Sequence, residues 1–202
     1  MRFPSLLFGL SVVLAATGCD STGIDGPNEG GHPCSSNCHP GGGDDSDART
    51  AVVDLDPKQT YLRTYEGGAA DAPALSLTDN GVSAGDRLCF AAEGDYVYGP
   101  GDVASNTGRP LAIAVFSSSS ELLDASQRYR VAGAIDAGPD VETLPTLQGG
   151  YATDIPQDFD ATEACVTIPD GAQFIFFSAY DDQFEDNSRI DGTPYRVRVT
   201  LE

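Results

Sequence analysis

The sequence predicts an all-β domain, a two-sheet antiparallel β-sandwich of jelly-roll-like form, on three observations. From residue 50 onward apolar side chains recur with a period of two in short runs, the spacing of strands with one buried face. The chain carries 23 Gly and 13 Pro, which punctuate those runs with turns. It also lacks the long Ala, Leu, Glu and Lys stretches of helical bundles, while its 40% hydrophobic content suffices for one packed core.

Residues 1–18 read as a lipoprotein signal peptide: Arg2 opens it, an apolar run covers 6–16, and Ala16-Thr17-Gly18-Cys19 is a small-residue processing site. The run is too short and wrongly flanked for a stable transmembrane helix. Its ending resembles a bacterial lipobox, in which the cysteine is acylated, palmitate being one such acyl group, and becomes the first mature residue; simple cleavage is the alternative. Acylated Cys19 would then be the only contact with the lipid bilayer, making the protein an exported, membrane-anchored lipoprotein of the bacterial cell envelope or cell surface.

Residues 19–49 hold almost no large apolar side chain, so burial cannot offset their ordering entropy, and they read as a flexible tether. His32, Cys34, Cys38 and His39 have metal-like spacing within it. A local Cys34–Cys38 disulfide is favoured over zinc, because the exported compartment is oxidising and no core surrounds these residues.

The folded region spans 50–202. Candidate strands cover 51–55, 59–65, 75–77, 86–92, 111–116, 128–135, 164–168, 173–179 and 195–201, and no segment supports a helix. The last is the clearest: Tyr195, Val197, Val199 and Leu201 face one way, Arg196, Arg198 and Thr200 the other, as in a sheet with one wet face. The connection 136–160 is long and carries three prolines. With Cys19 lipidated, four cysteines remain, and Cys89 and Cys165 each fall in a strand, so a disulfide between them is favoured over two buried thiols. It is expected to clamp distant parts of the sandwich.

With 31 acidic against 11 basic residues and a net charge of -20, the protein repels phosphate backbones, which argues against nucleic acid and anionic membrane surfaces as partners. Divalent cations would relieve the self-repulsion of so acidic a surface. Catalysis is not expected. Both histidines lie in the tether, and no G-x-S-x-G, H-E-x-x-H or phosphate-binding loop occurs. Carboxylate pairs are too abundant among 31 acids for any one to be informative.

Two segments offer binding chemistry. Residues 180–188, between two strong strands, set Asp181, Gln183, Asp186 and Asn187 in one loop, the hard oxygen donors that Ca2+ requires, although a solvated acidic turn explains them equally well. The Gly of an EF-hand is missing there. Around residues 94–101, Gly94 and Gly99 bracket a loop that exposes backbone carbonyls. Tyr96 and Tyr98 in it would make an aromatic platform for a sugar, unless one of them packs into the core.

Taken together, these segments resemble the calcium-dependent galactophilic lectins of bacteria (LecA type). That family begins a strand with an N-P-G-D turn, follows it with a Gly, and offers the tyrosine carbonyl of an S-Y-G element to calcium. Ala84-Gly85-Asp86, Gly94 and Val97-Tyr98-Gly99 fall at matching intervals. Its C-terminal stretch adds an Asp carboxylate, a backbone carbonyl and two consecutive Asn side chains before an alternating last strand. Asp181 matches the Asp, Asp186 and Asn187 match the pair with Asp replacing the first Asn, Gln183 or Phe184 matches the carbonyl, and 195–199 matches the closing strand. The loop is shorter than the family's before Asp186 and longer after Asn187. The resemblance covers 79–201 and implies a galactose-binding-like form for the sandwich.

It implies a calcium ion that also receives two adjacent sugar hydroxyls, hence carbohydrate binding through Tyr98, Asp181 and Asn187, with a glycan or polysaccharide as partner, galactoside-like by the family's example. The family's His-Pro-x-Gln loop, which holds the primary hydroxyl, is replaced here by 101–110, where Asn106 and Arg109 are the candidate sugar contacts. Calcium is thus supported by the resemblance, and galactose preference is not. The alternative expectation is a non-catalytic envelope or adhesion module with structural calcium and no sugar site.

Overall fold

The computed structural model describes residues 49–64, 67–100, 111–139, 141, 155–181 and 183–202. They form thirteen strands: β1 (Arg49–Asp54), β2 (Gln59–Thr60), β3 (Ala70–Asp71), β4 (Leu75–Ser76), β5 (Arg87–Gly94), β6 (Tyr96–Val97), β7 (Ala112–Ser117), β8 (Ala134–Ile135), β9 (Phe159–Asp160), β10 (Glu163–Thr167), β11 (Phe174–Ala179), β12 (Ser188–Arg189) and β13 (Tyr195–Leu201). The one helical element among the described residues is a 3-10 turn, Thr78–Asn80. The described residues are all-β, as the period-two pattern predicts.

The first sheet runs β1-β13-β5-β10 and the second β4-β11-β7-β8, with β9 beside β8 on the same flank of β7. Every pairing in both is antiparallel. Alternation in β13 buries Tyr195 and Val197 and exposes Arg198, giving the first sheet a wet outer face, on which Glu93 bridges Arg196 and Arg198. By contrast, β7 and β11 are nearly continuous apolar runs and are buried on both faces. One core lies between the sheets: Phe90 of β5 meets Phe177 of β11 and Phe159 of β9, each at 5.8 Å between ring centroids.

The other face of β11 explains one departure from expectation. Of the expected strand 59–65, the described residues 59–64 do not form a long strand: only Gln59–Thr60 pairs, in parallel with β3, and Tyr61 and Leu62 are then fully buried as a cover, with Tyr61 against Phe176. Buried Arg130 donates to the Leu62 carbonyl at 2.8 Å and to the Thr60 carbonyl at 3.4 Å while pairing with Asp71; Thr60 also accepts the Ala72 N–H at 3.1 Å in the β2–β3 ladder, so it is the Leu62 carbonyl that is satisfied without one. Residues 128–135 also fail to form a continuous strand. Tyr129 has φ 55°, which no extended strand allows, and pairing reduces to a Leu122–Val131 bridge and β8.

Cys89 and Cys165 are disulfide-bonded. The bond does not clamp distant parts of the fold, because the two residues stand directly opposite each other on β5 and β10, neighbours in one sheet. Cys19, Cys34 and Cys38 lie outside the described residues.

Candidate functional site

β5 ends at a residue that has to be glycine. Gly94 has φ 84°, and a Cβ there would sit 1.3 Å from the Pro194 carbonyl oxygen, beside the start of β13. The backbone crosses closely at this point and enters β6, which pairs with β12 in the register Tyr96 to Arg189 and Val97 to Ser188. That short ladder brings the 96–99 segment against the loop leading to β12. Elements 80 or more residues apart in sequence thereby form one surface.

Beneath it, Tyr96 and Tyr195 are buried with their rings 4.7 Å apart. The Tyr96 hydroxyl donates to the Tyr180 carbonyl at 3.0 Å, and that of Tyr195 to the Leu111 carbonyl at 2.7 Å. Burial pushes both phenols above their ordinary value, and the nearby Asp181 carboxylate adds to it. One Asp181 oxygen accepts the Gln183 backbone N–H at 3.3 Å.

Phe184 holds the loop down. This apolar residue amid acids is fully buried, and the Asn187 N–H closes a turn onto its carbonyl at 3.4 Å. The Lys58 ammonium donates to the Glu185 carbonyl at 2.7 Å from the other side. Asn187 is fully buried too, with its amide nitrogen donating to the Pro57 carbonyl at 3.0 Å. Its Oδ1 is buried and has no hydrogen-bond partner, and Asp186 Oδ1 is in the same condition. The other Asp186 oxygen lies beside Gly99, 3.8 Å from where a Cβ on that residue would be.

The fold thus brings together the Tyr98–Gly99 segment, Asp186 and Asn187, with Asp181 and Gln183 on the same loop. Buried oxygen acceptors without N–H or O–H partners carry a desolvation penalty that a cation removes, and carboxylate plus amide oxygen is a hard donor set suited to calcium rather than to a soft metal. Tyr98 is 43% exposed whereas Tyr96 is buried, so Tyr96 is a core residue and no two-ring platform forms. Asn106 and Arg109 lie outside the described residues. The clamp from Pro57 had no sequence signal, since it joins positions 130 apart. Phe184 had one, as an apolar residue isolated in a polar loop.

Among the described residues, the one cluster of three His, Cys, Asp or Glu groups is Cys89, Cys165 and Glu202, whose sulfurs are joined to each other and cannot ligate a metal. Comparison of the chain with protein-family models, with curated proteins and with solved structures returns no match.

Proposed function

We propose that this protein is a calcium-dependent carbohydrate-binding module, non-catalytic and divergent from the galactophilic lectins it resembles. Calcium would be held by the Asp181 and Asp186 carboxylates, the Asn187 amide oxygen and backbone carbonyls at Tyr98 and Gln183. The observation that carries the reading is the pair of buried, unpartnered oxygens on Asp186 and Asn187, adjacent in the loop that the resemblance singles out. Exposure of Tyr98 and Gln183 supports an ion with a solvent-facing side, where two adjacent hydroxyls of a glycan would complete the coordination. Export on a lipid anchor at Cys19 would present that side to envelope or extracellular polysaccharide.

A second reading, structural calcium with no sugar site, is favoured by the Asn187–Pro57 hydrogen bond, since an ion there would tie the loop before β12 to the turn after β1. A glycan array read in calcium and in chelator separates the two. Calcium-dependent hits that Asp181→Asn abolishes, and that Asn106→Ala or Arg109→Ala changes without altering calcium affinity, support the lectin. Calcium binding by calorimetry with no calcium-dependent hit leaves the structural reading, and no calcium binding removes both.

A further inference from the structure

On the side of the fold away from β7, both sheets end in an edge strand: β1 closes the first and β4 the second. Between these edges the core is open. A cavity of about 60 Å3 reaches inward past Val53, Leu77, Phe90, Ile175, Phe177 and Leu201, drawn from both sheets and from the turn after β4. Ser76, Asn80 and Arg49 also line it, but the wall is mostly apolar and offers water few hydrogen-bond partners, and an apolar cavity of this kind stays dry or takes an apolar guest.

One charged group stands at the rim. Arg49, the first residue of β1, lines the cavity and is exposed. Its guanidinium donates to the Gly81 carbonyl at 3.4 Å, and a Cβ on Gly81 would come within 3.1 Å of it, so glycine at this left-handed position (φ 67°) leaves room for the arginine to lie across the turn. No carboxylate among the described residues pairs with Arg49, although Glu93 alone takes two arginines elsewhere on the same sheet. In a chain of net charge -20, a cation held at an apolar opening and left without a carboxylate is complementary to an anionic head group.

We propose that this inter-sheet slot binds a single-chain anionic amphiphile, a fatty carboxylate, with its head group on Arg49 and its alkyl chain lying along the apolar opening, part of it entering between the sheets. The site is separate from the 181–187 loop and needs no metal. Each methylene withdrawn from water raises affinity about fourfold. Going from octanoate to decanoate should therefore tighten binding by about sixteenfold, until the chain outgrows the slot.

The test is calorimetry of the full chain with octanoate, decanoate and dodecanoate below their micelle concentrations, in chelator so that no calcium soap forms. Methyl NMR locates the guest. The expected result is saturable 1:1 binding, with shifts at Val53, Ile175 and Leu201. Arg49→Gln should weaken decanoate about tenfold while leaving decanol unchanged, because only the carboxylate meets the guanidinium. Ala51→Phe, which fills the slot from β1, should abolish both, and Leu201→Phe serves if that variant fails to fold. Absence of saturable binding, methyl shifts elsewhere, or equal decanoate affinity in wild type and Arg49→Gln overturns the proposal.

Discussion

The side-chain amide of Asn187 is spent on the carbonyl of Pro57, 3.0 Å away and 130 positions earlier in the chain, which commits its oxygen to the interior with nothing to accept from. Leaving such a group unsatisfied costs roughly 1–3 kcal/mol. The same loop has a second oxygen in this state on Asp186, so a cation would stabilise the fold through both.

Calcium should therefore raise the unfolding midpoint. A ligand at about 100 times its Kd contributes ~2.7 kcal/mol, and a domain of this size shifts by ~2–4 °C per kcal/mol. Scanning calorimetry in millimolar calcium and in chelator should differ by several degrees. The gap should shrink in Asn187→Ala and in Asp186→Asn. Superimposable curves for the wild type would remove the ion from the account.

Peptide mapping without reductant should return Cys89 joined to Cys165, as the two sit opposite on β5 and β10. Their separation of 76 positions makes reduction costly to the fold by up to ~4 kcal/mol on the chain-entropy view. A reduced protein with the same denaturation midpoint would show that the β5–β10 ladder needs no covalent support.

Gly94→Ala is expected to be among the most disruptive single substitutions. The added methyl would overlap the Pro194 carbonyl and occupy a left-handed backbone, so the start of β13 or the entry to β6 must move. A loss of more than ~3 kcal/mol in urea denaturation, accompanied by loss of calcium binding, is the expected outcome. Near-native stability would place the crossing elsewhere.

Alkaline pH should weaken the fold before it affects a typical β protein. Tyr96 and Tyr195 keep their protons in the folded state above the ordinary value of 10.0, owing first to burial. Unfolded tyrosines ionise from about pH 10, so above that the folded state binds more protons than the unfolded one and stability falls as pH rises. Below pH 10 this contribution is fully present. Denaturation midpoints across that range, read beside the tyrosinate absorbance, should fall together with late ionisation. Tyr96→Phe should flatten the decline, and an unchanged slope in that variant would assign it to other groups.

Much of the architecture was legible in residues. The alternation in β13, the apolar runs of β7 and β11, and a Cys in each of β5 and β10 are local patterns with one natural reading, because burial of one face imposes period two and burial of both imposes continuous apolarity. The acidic loop with Asp181, Asp186 and Asn187 was likewise visible as a donor-rich segment, though composition alone could not separate it from a solvated turn. Tertiary contacts decided the rest. Residues 59–64 carry strand-forming side chains, yet beyond Thr60 they end as a cover over β11, where Arg130 takes the Leu62 carbonyl. The two-residue strands β6 and β12 are too short to announce themselves, and they exist because Gly94 turns the chain toward them. Sequence by itself determined the longer strands β1, β5, β7, β10, β11 and β13 and which residues offer oxygen donors. Only the packed structure decided which oxygens are buried without partners, and that the sheets part at β1 and β4 beside Arg49, because both depend on contacts between positions far apart in the chain.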